Sequence, residues 1–282
     1  MILWLRRDLR LGDHPALHAA LQTGRPIIPV FILDPEFTEM GAAPKWRLEQ
    51  ALASFAERLE GVGSRLILRA GDALSVLQDL LESTGAQAVH WSRQYTPQGI
   101  ERDKKIKATL KAQGVQAASF TGFVLFEPWT VETGTGGPYK VFTPFWRKVR
   151  ERSLNEVLPA PESLLAPSSW PKSEALPDWK LSAAMNRGAA IIAKHASIGE
   201  ARALQRLHGF LAERCADYPT DRDRPDRDGT SGLAEHLTYG EISTRTIWHA
   251  GREAMAQGNP GAEAFVRQLV WRDFAWHLAF NT

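Results

Sequence analysis

The chain holds one cysteine, Cys215, in 282 residues. That excludes an internal disulfide and suits a reducing cytoplasm, with core packing as the natural role for the thiol. Charge of one sign is also missing, since 34 Lys and Arg stand against 32 Asp and Glu for a formal +2. A balance so near neutral gives no global pull on nucleic acid, so any DNA-binding patch has to be local. No apolar run is long enough to cross a bilayer, and the opening MILWLRRDLR lacks the long apolar region of a signal peptide. A soluble, cytoplasmic chain is expected. Low-complexity tracts and clear internal repeats are absent, which excludes solenoids and disordered tails. So are metal-ligand clusters, nucleophile–His–acid constellations and a G-x-G-x-x-G after the first strand. The length favours two domains over one core.

What is present in the first half is strand and helix in alternation. Ile2 to Leu5, Pro26 to Leu33, Arg65 to Leu68, Ala88 to Trp91 and Val115 to Phe120 read as five short strands. Helical patterns separate them, one through about Leu21, one in LEQALASFAERL, one over 73–82 and one over 100–112. Short buried strands alternating with helices predict an α/β, Rossmann-like, doubly wound parallel five-stranded sheet. Arg6, Arg7, Asp8 and Arg10 follow the first strand. Such sheets bind ligands at their strands' carboxyl ends, so an anion could sit there. A salt-bridged loop explains the same residues and is favoured on physics alone.

The cluster TGTGGP at 133–138 reads as a flexible turn, because no strand closely precedes it. YKVFTPFWRK should start a helix carrying Arg147, Lys148 and Arg150, either a solvated basic face or a small part of a DNA-facing surface. From Leu158 to Trp179 the prolines forbid long helices, leaving an extended connector pinned by Trp170 and Trp179. Beyond Ile198 the pattern is helical. Ala203, Leu207, Phe210 and Leu211 share a face, and Tyr218 with Pro219 should end that helix. The divisions are 1–130, 131–197 and 198–282.

Two stretches concentrate chemistry. In YPTDRDRPDRDGTSGLAEHLTYGEIS (218–243) a charged loop becomes a helix near Ser231. Thr230 and Ser231 are good N-cap residues, and Gly229 and Gly232 allow a ligand close to the backbone. Bare N–H groups beside two hydroxyls make an anion site, although an ordinary cap has the same look. Gly240 closes that helix, and Ser243 caps one running to about Gln257. In FVRQLVWRDFAWH (265–277), Gln268, Trp271 and Arg272 stand three and four apart on a helix. An aromatic plane, an amide and a guanidinium together suit a flat hydrogen-bonding partner; core packing of Trp271 and an ion pair from Arg272 to Asp273 or Asp228 are the alternative.

Together these stretches, with LWLRRDLRLGDHPAL at the start, resemble the DNA photolyase/cryptochrome family across the whole chain. The resemblance implies that an all-α FAD-binding domain follows the sheet. It implies cofactor contacts from Tyr218, Thr230, Ser231, Gly232, Leu233, Ala234, Phe265, Gln268 and Arg272. Arg222, Gln268, Trp271 and Arg272 would contact DNA, with Arg222 on the backbone and Trp271 stacked on a flipped pyrimidine dimer as the catalytic residue. The implied function is light-driven dimer repair by electron transfer from reduced FAD, by a monomer, with an antenna pigment that is either methenyltetrahydrofolate or a deazaflavin. A cryptochrome-type photoreceptor without repair activity is the alternative, and a free-standing pigment-binding α/β domain a third reading.

Departures bear on this. Gly232 stands where the loop commonly has a basic residue, and Ala234 where serine is common. Gln268 replaces the Glu of many cyclobutane-dimer enzymes and matches several (6-4) enzymes and cryptochromes. The family runs well over a hundred residues past its W-R-[ED]-F helix, whereas this chain stops at Asn281-Thr282. The expectation is an amino-terminal part with an incomplete flavin cavity, weak or no FAD retention and no repair alone.

Overall fold

The computed structural model describes residues 1–282. Five strands, β1 (Ile2–Leu5), β2 (Ile28–Leu33), β3 (Ile67–Ala70), β4 (Ala88–Ser92) and β5 (Gln116–Phe120), form one parallel sheet in the order β3-β2-β1-β4-β5. β1, β2 and β4 are buried along their whole length, as expected for strands covered on both faces. The chain winds from β1 out to β3, then crosses back to β4, so the order reverses between β1 and β4. Ligand crevices open at such switch points.

Helices α1 (Pro15–Leu21), α2 (Pro35–Thr38), α3 (Ala42–Glu60), α4 (Ala73–Thr84) and α5 (Pro97–Ala112) cover the sheet. Their ends are written locally. Asp72 accepts from the Ser75 N–H and Thr96 from that of Gly99, and Pro97 follows as first helical residue. α3 buries Leu48, Leu52, Phe55 and Leu59, spaced four, three and four apart, in the core that holds Leu3, Leu5 and Phe31.

The connector after α6 (Phe142–Val149) is extended and wraps the first half. Leu164 and Leu181 enter the α3 core, Trp179 packs on it, and Trp170 packs on the opposite core. The 133–138 segment is a turn bridged between Glu132 and Pro138. The second half is helical, with α7 (Arg187–Ile192), α8 (Glu200–Glu213), α9 (Tyr218–Asp221), α10 (Ala234–Tyr239), α11 (Thr244–Ala256) and α12 (Ala262–Asn281). α8 stops at Glu213, and Tyr218 opens α9 instead of closing α8, because a turn at 214–217 intervenes. One core joins α8, α11 and α12 with Leu125, Phe126, Phe142, Phe145 and Trp146, and buries Cys215. No helix is long and apolar enough to cross a membrane.

The two halves meet through polar groups. Arg10 is 2% exposed and gives its guanidinium to the carbonyls of Gly12, Asp13, Gly122 and Gly240. Arg47 is bidentate on Glu241, at 2.8 and 2.5 Å. Asp13 receives Ser243 and Arg245. Gly240 ends α10 at φ 68°, and a Cβ there would collide with the Arg7 carbonyl.

Candidate functional site

The strand ends and α12 face each other across a cavity of ≈ 1030 Å³. One wall comes from the carboxyl ends of β1, β2 and β4, with Arg7, Asp34, Glu36, Gln94, Thr96 and Arg102. Four of its charges are already paired: Arg7 Nε lies 2.9 Å from Glu36, and Arg102 Nη1 lies 2.6 Å from Asp34. Burial raises the Asp34 carboxyl even against Arg102. The groups behind this wall are paired too. Arg6 pairs with Asp103 at 2.8 Å, and Asp8 with His14 at 3.2 Å. Burial alone would lift the Asp8 carboxyl, but His14 and the Arg6 N–H hold it well below the usual range. The Arg-rich run after β1 is therefore a salt-bridged loop.

The opposite wall comes from the helical half. Tyr218, Ser231, Leu233 and Ala234 line it from α9 and the approach to α10; Phe265, Gln268, Leu269, Arg272 and Trp276 line it from α12. Tyr218 is buried with its ring edge-on to Phe210 and Phe265, at 5.5 and 6.0 Å, and burial raises its phenol pKa. Arg272 is the cation of this wall. Its guanidinium lies 4.4 Å over the Phe123 ring and donates to the Phe123 carbonyl at 2.7 Å. Burial lowers its pKa, yet an arginine keeps its charge in proteins.

The next residue, Asp273, holds the same loop from the other direction. One carboxylate oxygen accepts the N–H groups of Leu125 and Phe126 at 2.8 and 2.9 Å; the other oxygen is buried without a partner. Burial pushes this carboxyl up to about 7, against Arg272 and the two N–H bonds. Arg272 forms no ion pair with Asp273 or Asp228; Asp228 pairs with Arg214.

Several expected residues fall elsewhere. α10 begins at Ala234, not near Ser231, and its N-cap is Leu233 with no side-chain cap bond. Thr230 is exposed and outside the cavity lining. Gly229 is buried against Asp221, and Gly232 (φ 61°) packs on Arg206, which donates to the Gly232 carbonyl at 3.0 Å. Neither glycine opens backbone to a ligand, and α10, at six residues, is a short helix rather than an anion-binding terminus. Arg222 stays at the surface beside Asp223, at 3.6 Å, over the Tyr218 ring.

Trp271 also lies outside the lining. At about 100° per residue, Gln268, Arg272, Phe265, Trp276 and Leu269 fall in one arc of α12 about 100° wide, and Trp271 points about 60° beyond its Gln268 edge. Its ring lies instead on Phe142, with centroids 3.7 Å apart and planes 12° from parallel. The lining residues Phe123 and Trp276, in contact at 5.1 Å, carried no motif; Trp276 was detectable by its spacing from Arg272 and Leu269. A large cavity with an apolar aromatic stripe, a few hydroxyls and amides and one half-buried cation without an ion-pair partner, Arg272, suits a sizeable ligand that is flat in part.

The DNA photolyase family model matches residues 1–163. A deoxyribodipyrimidine photo-lyase of Agrobacterium fabrum is 41% identical over 284 residues, covering 100% of this chain and 59% of that protein. Cryptochrome-2 of Arabidopsis thaliana is 30% identical, covering 99% of this chain and 48% of that protein. Among solved structures, a class III photolyase of Agrobacterium tumefaciens superposes with a TM-score of 0.92 at 39% identity, over 99% of this chain and 58% of that one. A Sulfolobus tokodaii photolyase described with two FAD molecules gives 0.76 at 26% identity, over 99% and 59%. The chain thus spans about three-fifths or less of these proteins.

Proposed function

The chain belongs to the DNA photolyase family, and from that premise we propose that it carries the sheet and the first flavin-facing helices of a light-driven DNA repair enzyme. The observation that supports this best is the shared cavity. Residues 218–234 and helix α12, separated in sequence by residues 235–261, line one hollow with Tyr218, Ser231, Phe265, Gln268 and Arg272.

These residues fit FAD. Phe265, Leu269 and Trp276 offer an apolar stripe for the isoalloxazine, Gln268 an amide for its edge, Ser231 a hydroxyl and Arg272 a positive charge. Bound there, FAD would supply light-driven one-electron chemistry. The chain's residues supply orientation and water exclusion. Tyr218 and Phe265 support one another edge-on, and Arg272 is held in place by Phe123. For the antenna, a methenyltetrahydrofolate or a deazaflavin, the strand-end part of the cavity is the proposed seat. Gln94, Thr96 and Gln98 are neutral hydrogen-bonding groups there, and Arg7 and Arg102 are paired with Glu36 and Asp34.

Damaged DNA is the proposed partner, with Arg222 on a phosphate and Trp271 on an unstacked base. Both are exposed, and Trp271 stands beside the cavity edge formed by Gln268. The test is dimer-containing DNA under blue light with a protein that carries this chain within the length of its photo-lyase relative. Light-dependent dimer loss is expected. Flavin binding without dimer loss would favour the second reading, a photoreceptor, to which the Arabidopsis likeness points.

A further inference from the structure

Trp271 is 43% exposed, high for a tryptophan in the middle of a 20-residue helix. The exposure is one-sided. One ring face is covered by Phe142, and Phe274 meets the ring edge-on at 5.8 Å with planes 76° apart. Phe142 itself is 4% exposed and is fixed edge-on by Phe274 at 5.7 Å. Aromatic pairs ordinarily prefer offset or edge-on contacts over a close parallel stack, so this pair is set by its frame: the start of α6 on one side and α12 on the other. The Arg267 guanidinium lies 5.6 Å from the Phe142 ring, and exposed Lys140 and Val141 (61% exposed) precede Phe142. The outer face of Trp271 is therefore a rigid, flat apolar plate with one cation, Arg267, a helical turn away on α12.

We propose that Phe142 is a positioning residue that backs Trp271 into a preformed stacking plate, with Arg267 beside it, for an unpaired base of single-stranded DNA, damaged or not. Every base has a π-face, so such a plate tolerates sequence, and nearby cations attract the phosphates between bases. Freezing the indole beforehand removes ordering cost from binding, which is what a stacked backing ring contributes. The inference rests on the proposed DNA contact of Trp271 and adds to it the groups that hold the plate and an affinity independent of the lesion.

The experiment is fluorescence anisotropy of a labelled twelve-residue oligothymidylate with the 282-residue chain, alongside each variant's melting midpoint. Trp271→Ala should raise Kd about ten-fold, the usual loss for one stacked base. Phe142→Leu, which fills the space without a flat face, should raise Kd several-fold, and Phe142→Tyr should return it to within about two-fold of the parent. Arg267→Gln should lower the slope of log affinity on log salt by about one. If Phe142→Leu melts below the assay temperature, Phe142→Met carries the same comparison. Unchanged binding by Trp271→Ala would overturn the stacking reading of Trp271 itself. Weakening by Trp271→Ala but not by Phe142→Leu or Phe142→Met would overturn the role of Phe142 alone. Equal weakening by Phe142→Tyr and Phe142→Leu would reduce Phe142 to filler and overturn it as well.

Discussion

Arg47 on α3 and Glu241 after α10 form a bidentate, buried ion pair across 194 residues of chain, and His236 shares the same carboxylate at 2.5 Å. Neither half can place these groups alone. Breaking a buried pair ordinarily costs about 3–5 kcal/mol; here His236 stays on Glu241 when Arg47 is removed, and Glu235, 3.4 Å from Arg47, stays when Glu241 is removed, which puts the cost at the lower end of that range. Arg47→Ala and Glu241→Ala should each destabilise on that scale in urea unfolding at pH 7. The double variant should lose clearly less than the sum, giving a coupling energy of about 2 kcal/mol. Burial would raise the Glu241 carboxyl, yet His236 and Arg47 hold it below its ordinary value. Its contribution is thus present above the unfolded carboxyl range and lost as pH falls through the lowered folded value.

Asp273 should act with the opposite sign. Its carboxyl is pushed up to about 7 by burial, so the folded chain binds a proton that the unfolded chain has released. Stability is full below the unfolded value and falls as pH rises towards 7, by no more than about 4 kcal/mol at 1.36 kcal/mol per pH unit. Asp273→Asn keeps an acceptor for the Leu125 and Phe126 N–H groups and should flatten urea midpoints between pH 5 and 8. A parent that gains stability across that range would contradict the assignment.

Gly240 tests the junction sterically. Its φ of 68° and its approach to the Arg7 carbonyl leave no room for a side chain. Gly240→Ala should destabilise by about 1–3 kcal/mol from backbone strain, and by more because the two halves must part. Gly258 has a positive φ but open space around it, so Gly258→Ala, as the control, should show the strain alone.

Much of this was legible beforehand. The limits of β1, the Ser243 cap and the end of its helix near Gln257 follow from local chemistry that tertiary contacts did not override. The 230–234 segment was not, because its path is decided by Arg206 and Asp221, distant residues that occupy the space a local reading leaves to a ligand. The place of Trp271 outside the cavity lining was not legible for a related reason. Spacings of three and four place residues on neighbouring positions of a helix without saying which edge faces the cavity, and Phe142, 129 positions earlier, supplies the answer. The strand-end acids were hidden because ion pairs with Arg7 and Arg102 join separate loops.

The central claim is that FAD enters the hollow between the strand ends and α12. It is tested most directly by titrating FAD with the chain and following isoalloxazine fluorescence, for the parent and for Phe265→Ala, Arg272→Ala and Trp271→Ala. The account expects weak but saturable quenching, about ten-fold weaker for each of the two cavity variants, since 1.4 kcal/mol of lost contact is a factor of ten. Trp271→Ala, outside the lining, should leave it unchanged. No saturation by the parent at any FAD concentration, or a Trp271→Ala defect equal to that of Phe265→Ala, would contradict it.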